Sequence, residues 1–139
     1  MAYWLLKEEP THYSYADLTR EGRTRWDGVH NALALRHLRS MKVGDLAFFY
    51  HTGDERACVG VVRVTSAPRP DDRDPRTSVV VDVEPVRALE RPVTLSEMKV
   101  DPVFTGFALV RIGRLSVVPV DKPRWDRILR LARSPSPEL

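Results

Sequence analysis

Three runs rich in β-branched and aromatic residues follow one another in the middle of the chain, and no long helical pattern separates them. The runs are LAFFYH at 46–51, ACVGVVRV at 57–64 and SVVVDV at 78–83. Short runs of this composition, bounded by turn residues, are typical of β-strands. A doubly wound parallel sheet would need a long helix after each strand. The sequence therefore predicts an α+β fold, a curved sheet or small barrel of about five or six strands with short helices in the connections.

The segments on either side supply further strands and short helices. AYWLLKEE, from residue 2 to residue 8 or so, predicts a first strand closed by Pro10, and FALVRIGRLSVVPV predicts one or two strands around Gly113. The proline-rich, charged segment APRPDDRDPR predicts a surface loop. Capping residues and apolar spacing predict short helices in four segments: SYADL with Ser14 as N-cap and Gly22 at its end, ALALRHLRSM after Asn31, TLSEMK with Thr94 as N-cap, and PRWDRILRLA.

The length of 139 residues predicts one domain over 1–133, followed by a disordered tail, SPSPEL, at 134–139. With 42% hydrophobic and 29% charged residues, the composition is that of an ordinary globular protein. No apolar run approaches the roughly 20 residues that span a bilayer. The N-terminal MAYWLLKEEP lacks the positive leader of a signal peptide. We therefore expect a cytoplasmic protein that makes no membrane contact.

Few of the usual catalytic or metal-binding patterns have a counterpart in this sequence. A single cysteine, Cys58, excludes an intrachain disulfide and a cysteine-based zinc site, and the four histidines are scattered. No GxSxG motif, phosphate-binding glycine loop or Ser/His/Asp pattern occurs. We therefore expect no metal, no cofactor and no enzymatic activity. The net charge of +3 is compatible with a polyanionic partner but does not establish one.

The WDGVHN stretch at 26–31 has the composition of either a packed turn or a binding platform. Trp26 by itself is more often a core residue than a ligand platform. Asp27 and Gly28 allow the backbone to turn tightly and leave an open approach. A flat indole beside exposed backbone suits stacking on a nucleobase, which is worth about 1–3 kcal/mol per base. Both interpretations of Trp26 remain open from these residues alone.

Asn31 also has two interpretations. If the helix begins at Ala32, Asn31 is its N-cap, and its side chain accepts a hydrogen bond from a free backbone N–H. If the helix begins earlier, Asn31 shares an apolar stripe with Ala34, Leu35 and Leu38 and points inward. A buried amide there must find a partner in the protein or on a ligand. The capping interpretation is favoured.

Two further stretches carry polar groups near strand ends. In FFYH, strand alternation places Phe48 and Tyr50 on one face and Phe49 and His51 on the other. One face must be core, and the other is available to line a pocket. KEEP at 7–10 is by itself most simply a solvated, self-compensating charge cluster.

Several of these motifs occur together in an order that resembles the EVE domain family. They are WLLKEEP, YSYADL, WDGVHN, MKVGDLAFFYH, VGVVRV, VTLSEMK and LVRIGRLSVVPV, and they run from about Tyr3 to Trp125. Each motif is weak alone, but their order and spacing together are specific. The resemblance implies a PUA-like fold, a curved β-barrel with flanking helices, related to the ASCH and YTH domains.

The resemblance also implies a non-enzymatic function, the recognition of a modified nucleobase in DNA or RNA. 5-Methylcytosine and its hydroxymethyl derivative are the implied ligands, held in a pocket after base flipping. The pocket motifs of the family fall on these residues of the present chain: Lys7, Glu8, Glu9, Trp26, Gly28, Val29, Asn31, Tyr50 and His51.

These implied residues suggest a division of roles. Trp26 and an aromatic residue of the FFYH strand would form the walls, and Asn31 with backbone near Gly28 would read the base edge. Glu8 or His51 would complete the hydrogen bonding. Basic residues at the rim would hold flanking phosphates, and the candidates are Arg36, Arg39 and Arg111.

The chain departs from the family pattern at two positions. Glu8 stands where the family typically has serine, in K-S-E-P, and His30 stands where WDGV-x-N commonly carries arginine or lysine. A carboxylate at position 8 could accept from the exocyclic amine of cytosine or could shrink the pocket. A histidine at position 30 would carry a weaker, pH-dependent positive charge.

Three other functions compete with base recognition. The first is binding of a free nucleoside-like metabolite, which would show little dependence on salt, whereas phosphate contacts weaken steeply as salt rises. The second is an enzyme acting on a base or amide through Glu8, Asp27 or His51. The third is a protein-interaction module that packs its aromatic surface on a partner chain.

Overall fold

The fold is described by a computed structural model, which covers residues 1–134. Apart from Ser134, the tail that the sequence predicts to be disordered lies outside the described residues. The strands are β1 (Tyr3–Glu8), β2 (Thr24–Trp26), β3 (Leu46–His51), β4 (Ala57–Val64), β5 (Arg69–Asp71), β6 (Asp74–Thr94) and β7 (Val117–Val120). The helices are α1 (Tyr15–Glu21), α2 (Ala32–Ser40), α3 (Leu95–Val100), α4 (Ala108–Arg111) and α5 (Lys122–Arg133), with a 3₁₀ turn at Pro102–Phe104.

The strands form one mixed sheet that curls into a half-barrel. Its order is β2-β6-β4-β3-β1-β7, and β5 pairs with β6 beside this path. The β1–β3 pair is parallel, and the other pairs are antiparallel. Two register shifts between β4 and β6 bend the sheet, because a β-bulge increases local twist. The expected α+β fold with a curved barrel and short flanking helices is confirmed.

The core lies on both faces of β3. Phe48 and Phe49 are both fully buried although they point to opposite faces. Phe48 stacks on Trp125 of α5 with the ring centroids 4.0 Å apart. Phe49 meets Tyr15 of α1 and Trp26 of β2 edge to face, at 5.5 Å and 5.3 Å. At Phe48 and Phe49, both faces of β3 therefore belong to the core, which explains why apolar residues follow one another there without alternation.

Helix ends follow the predicted capping residues. The Ser14 hydroxyl accepts from the Asp17 N–H at 3.1 Å, and Asp17 accepts in return from the Ser14 N–H at 2.8 Å. Thr94 and Glu97 form the same reciprocal capping box on α3. Such boxes satisfy N–H groups that a helix leaves free at its start. Gly22 closes α1 in the left-handed region with φ of 82°.

Close packing between α1 and the sheet depends on Gly60 of β4. A Cβ atom at this position would lie 2.3 Å from the Tyr15 ring, far inside van der Waals contact. The Tyr15 hydroxyl donates to the Val61 carbonyl at 2.9 Å, which fixes the ring against the strand. The glycine in ACVGVV thus makes room for an aromatic side chain.

Asp45 ties the N-terminal strand to the turn before β3. Its carboxylate is buried and accepts from the Ala2 N–H (3.1 Å), the Trp4 indole N–H (3.0 Å) and the Lys42 N–H (3.0 Å). Burial acts to raise the pKa of Asp45, but the hydrogen bonds from Trp4, Lys42 and Ala2 outweigh it and hold the pKa below its usual value.

Two segments differ from the sequence-based expectation. The predicted loop APRPDDRDPR contains β5 and the start of β6, which form a hairpin closed by the Asp71 carboxylate accepting from the Arg73 N–H at 3.0 Å. Most of the predicted strand FALVRI is instead the single helical turn α4, which buries Leu109. Only Val117–Val120 pairs as a strand, with β1. The first segment tolerates its prolines because β5 lies at a sheet edge and pairs only with β6, and the second is a helical turn that buries Leu109.

Candidate functional site

A small cavity of about 160 Å³ lies between the end of β1, the turn that follows it, and β2. We call it the WD cavity after Trp26 and Asp27. Its lining residues are Glu8, His12, Tyr13, Thr24, Arg25, Trp26 and Asp27. Pockets for drug-sized ligands start at about 300 Å³. The WD cavity therefore has room for a single flat ring and not for a whole nucleotide.

A tight turn after β1 brings His12 and Tyr13 back beside Glu8. The Glu9 carbonyl accepts from both the His12 and the Tyr13 N–H at 2.9 Å. The Glu9 carboxylate also accepts from the Thr11 and Thr52 hydroxyls, each at 3.3 Å. Glu9 thus shapes the turn and does not line the cavity.

Trp26 forms a fixed wall of the cavity. It pairs with Val81 of β6 through the antiparallel β2–β6 ladder, and its side chain is 5% exposed. Its ring stands at 89° to Phe49, the edge-to-face geometry that aromatic pairs favour. Phe49 therefore supports Trp26 from behind and is not itself a cavity wall. In the part of the chain that the structure describes, the Trp26 indole N–H makes no hydrogen bond, whereas that of Trp4 is bonded to Asp45.

Two carboxylates line the cavity, and each lies beside a nitrogen-bearing side chain. Glu8 Oε1 accepts from the Glu9 N–H at 2.9 Å and lies 3.2 Å from His12 Nδ1. Asp27 lies 3.6 Å from Arg25 Nε and is hydrogen-bonded to Arg73 of the β5–β6 hairpin. The site thus offers carboxylate acceptors beside guanidinium and indole donors. Such a set can read the edge of a heterocycle that carries both an amine and a carbonyl.

Tyr13 supplies the second aromatic ring of the cavity. Its hydroxyl donates to Glu21 of α1. Burial, followed by the hydrogen bond to Glu21, raises the pKa of Tyr13 to about 12. The ring is therefore neutral at physiological pH and serves as an apolar surface.

Lys7 and Tyr50 line a different cavity, of about 270 Å³. Lys7 Nζ donates to the Gly113 carbonyl at 3.0 Å and lies 5.8 Å from the centre of the Tyr50 ring. Burial lowers the pKa of Lys7 and raises that of Tyr50 to about 12. Because neighbours on a strand point to opposite faces, Lys7 faces away from Glu8. The KEEP motif therefore serves two cavities.

His51 is occupied by contacts within the protein. Its Nε2 accepts from the Tyr15 N–H at 3.1 Å, so the ring proton is on Nδ1, which lies 3.1 Å from Glu55 Oε2. The ring also meets Phe49 edge to face. This is the structural hydrogen bonding that is common for a histidine at a strand end.

Gly28 and Val29 continue the loop beyond Asp27. Gly28 has φ of 75°, a conformation that other residues adopt only under strain, and the space above it is open. Val29 is buried, and its carbonyl accepts from the Ser78 hydroxyl at 3.2 Å. The loop is therefore anchored to β6 on its inner side, next to the cavity.

Asn31 is the N-cap of α2, as the capping interpretation predicts. Its side-chain oxygen accepts from the Ala34 N–H at 3.0 Å, and the residue is exposed outside the WD cavity.

We expect Asn31→Ala to lower the free energy of unfolding by about 1 kcal/mol, because an alanine N-cap leaves that N–H unpaired. Urea denaturation measures the loss. Asn31→Ser restores a capping oxygen and serves as the control, and equal stability of the two variants would contradict the capping role.

The three rim arginines lie in different places. Arg36 and Arg39 are exposed on α2, and Arg39 lines an open groove beside the β5–β6 hairpin. Arg111 lines a cavity with Tyr3, at the opposite end of β1 from Glu8. Five residue steps along a strand span about 17 Å. The structure therefore does not bring Arg111 to the WD cavity.

Four lining residues were not singled out from the sequence. They are His12, Tyr13, Thr24 and Arg25. The KEEP motif could have indicated His12 and Tyr13, because a proline after a strand marks a turn that brings the following residues back beside that strand. Thr24 and Arg25 directly precede Trp26 and share its strand.

Other chemistry is sparse in the part of the chain that is described. Burial raises the pKa of the Cys58 thiol, the state of a buried structural cysteine. Within residues 1–134, no three His, Cys, Asp or Glu side chains are grouped as metal ligands. Across the same residues, none of the helices has the length and apolar character needed to cross a membrane.

Comparison with known proteins places the chain in a family. The EVE domain model matches residues 2–131. Thymocyte nuclear protein 1 of Gallus gallus is 31% identical over 164 residues, spanning 93% of this chain and 68% of that protein.

Solved structures share the fold over the whole length. The crystal structure of Atu2648 from Agrobacterium tumefaciens has a TM-score of 0.92 at 33% identity, covering 99% of this chain and 97% of that one. Human THYN1, crystallised in complex with 5-methylcytosine-containing DNA, has a TM-score of 0.87 at 28% identity, covering 98% and 100%. The half-barrel is thus the expected PUA-like fold, and the chain belongs to the EVE domain family.

Proposed function

We propose that this chain is a non-enzymatic nucleic-acid-binding domain that holds a modified nucleobase, a 5-modified cytosine, in the WD cavity. The observation that carries the proposal is the cavity itself, which combines a fixed tryptophan with carboxylate and guanidinium groups in a space of about 160 Å³. The related human THYN1 has been crystallised with DNA containing 5-methylcytosine. Its shared fold supports the same class of ligand here.

The polar groups of the cavity complement the edge of cytosine. The exocyclic amine of the base donates, and carboxylates such as Glu8 and Asp27 accept. The carbonyl and ring nitrogen accept, and the Trp26 indole and Arg25 are the donors available to them. Trp26 and Tyr13 supply the apolar surface for the ring and its 5-substituent. Asn31, which caps α2, and His51, whose ring nitrogens are engaged, support the scaffold in this proposal.

The size of the cavity favours base flipping. A cavity with room for one ring leaves the sugar and phosphates outside, so the base enters alone. Enzymes and readers that need the whole edge of a base take it out of the stack in this way. The proposal assigns no bond-making step to Glu8, which lies beside His12, or to Asp27, which lies beside Arg25.

A free nucleoside-like metabolite is the alternative occupant. The observation in its favour is the pair of carboxylates, Glu8 and Asp27, at the cavity. Negative charges there repel a nearby phosphate group, whereas they do not repel an uncharged nucleoside. Affinity for the nucleoside alone, without dependence on salt, would support this alternative.

The test is binding to matched DNA and RNA oligonucleotides whose central cytosine is unmodified, 5-methylated or 5-hydroxymethylated, at two salt concentrations. We expect tighter binding to a modified base and weaker binding at higher salt. Equal, weak binding of every oligonucleotide that disappears at high salt would contradict base recognition.

Glu8→Gln probes the cavity without changing its shape. We expect it to weaken binding of the modified oligonucleotide about tenfold or more, because a hydrogen bond to a charged group is worth about 1.5–3 kcal/mol. Anisotropy titrations measure the ratio. Glu90→Gln, which removes an exposed carboxylate paired with Arg87, is the matched control. Because removing a negative charge does not by itself weaken binding to a polyanion, equal losses in the two variants would contradict a specific role of Glu8 in the cavity.

A further inference from the structure

An open groove of about 410 Å³ lies between α2 and the β5–β6 hairpin. Its lining includes Arg39 of α2, Arg69 of β5 and Arg76 of β6, together with Ser78, Val79 and three prolines of the hairpin. None of the lining residues is acidic. We call this surface the arginine groove.

The three arginines differ in their pairing. Arg69 donates to Asp82 and to the Ser66 hydroxyl, each at 3.0 Å, which holds its guanidinium in place. Arg39 and Arg76 have no carboxylate within salt-bridge distance among residues 1–134, and both are exposed. The groove therefore carries two uncompensated positive charges beside one fixed guanidinium. Guanidinium groups bind phosphate oxygens through paired N–H donors.

The arginine groove is linked to the WD cavity through hydrogen bonds between the β5–β6 hairpin and the loop at 27–29. Ser78 lines the groove and donates to the carbonyl of Val29, two residues beyond Asp27. Arg73, at the turn of the same hairpin, is bonded to Asp27 itself. The loop at 27–29 is thus bonded to the β5–β6 hairpin on both sides of Gly28, through Asp27 and through Val29.

The Tyr3–Arg111 cavity has cations too, but within residues 1–134 none of its lining residues is hydrogen-bonded to the loop at 27–29. Lys122 and Arg124 in that cavity lie over the rings of Tyr3 and Phe107 and are directed to the protein. It also lies at the far end of β1 from Glu8. Of these two basic surfaces, the arginine groove is therefore the one whose hairpin is bonded to the loop of the WD cavity.

We propose that the arginine groove binds the phosphate backbone next to the base held in the WD cavity, with Arg39 and Arg76 as the phosphate contacts. This inference rests on the proposed function and specifies where the nucleic-acid strand runs on the protein surface. The groove gives affinity that is independent of sequence and modification, while the cavity gives discrimination between bases. Arg76 and the hairpin are absent from the set that family motifs imply.

The test compares salt dependence in the double variant Arg39→Gln/Arg76→Gln and the wild type, using duplex DNA with a central 5-methylcytosine and its unmodified twin. Each phosphate contact contributes about 0.9 to the slope of log affinity against log salt. We expect the slope to fall by about 2 and the affinity for both duplexes to fall by the same factor. The preference for the methylated duplex is expected to remain.

The matched control is Arg130→Gln/Arg133→Gln, which removes the same charge from exposed positions of α5. These residues lie near Arg91, which donates to the Ser134 carbonyl at 2.7 Å, at the other end of β6 from the groove. We expect the control to leave the slope unchanged. Melting temperatures confirm that both variants are folded.

The outcomes separate the groove from the cavity. An unchanged slope in the groove variant, or an equal decrease in the control, overturns the groove proposal even if methylation preference persists. A lower slope only in the groove variant, without any base preference in the wild type, supports the groove and overturns base recognition in the cavity. No binding of either duplex by the wild type overturns both.

Discussion

Trp26→Ala is expected to lower the free energy of unfolding by about 3–5 kcal/mol, the usual effect of truncating a buried tryptophan. The side chain is 5% exposed and packs edge to face on Phe49 at 5.3 Å. Removing it opens a cavity that Phe49, held in β3 by its contacts with Tyr15 and His51, does not fill. Urea denaturation followed by circular dichroism measures the loss. A decrease below about 1 kcal/mol, the range of surface substitutions, would contradict this packing.

Trp26→Ala also removes the wall of the WD cavity, so binding must be tested with a variant that keeps the fold. Trp26→Phe retains an aromatic ring and loses the indole N–H. We expect it to weaken binding of a 5-methylcytosine oligonucleotide about two- to tenfold, the worth of one hydrogen bond at about 0.5–1.5 kcal/mol.

Trp125→Phe is the matched control for that variant. Trp125 is equally buried, stacks on Phe48 at 4.0 Å, and lies on α5 outside the cavity. We expect it to leave binding unchanged at a similar cost in stability. If both variants weakened binding equally, Trp26 would act on the fold and not on the ligand.

Asp45→Ala is expected to lower the free energy of unfolding by about 3 kcal/mol or more. The buried Trp4 indole N–H loses its acceptor, which costs about 1–3 kcal/mol, and the partly buried N–H groups of Ala2 and Lys42 each lose a hydrogen bond to a charged group. Chemical denaturation at pH 7 gives the difference. Asp72→Ala, at an exposed position of the hairpin turn, is the control and is expected to be nearly neutral.

The contribution of Asp45 is also expected to depend on pH. The pKa of its carboxyl is lower in the folded state than its usual value of 3.8. Its stabilising effect is therefore fully present above that usual value and is lost as the pH falls through the lower, folded-state pKa. The stability difference between wild type and Asp45→Ala should narrow below about pH 4. A difference that stayed constant down to pH 2.5 would contradict this role.

Local signals predicted the elements that depend on neighbouring residues. Ser14 with Asp17, and Thr94 with Glu97, were read correctly because a capping box lies entirely within four residues. The β5–β6 hairpin was not predicted because its prolines and charges are typical of loops, although β5 pairs with the strand that directly follows it. Composition does not distinguish an edge strand, where proline is tolerated, from a surface loop.

The candidate site was also predicted only in part. The family motifs pointed to Glu8 and Trp26, which do meet at the WD cavity. Lys7 and Tyr50 share a second cavity on the other face of β1, a separation that strand alternation alone could have predicted. Tyr13 reaches the WD cavity through a turn held by a backbone carbonyl, a contact that no side-chain pattern reveals.

The pairing of β1 with β7, far apart along the sequence, has a consequence for folding kinetics. Tyr3 pairs with Val120, and the Lys7 N–H donates to the Ser116 carbonyl at 2.9 Å. During synthesis, β1 therefore lacks this neighbour until β7 has left the ribosome. Contacts of such long sequence separation slow folding and raise the contact order. Because Glu8 ends this strand, one wall of the WD cavity gains its final support only when the last strand docks.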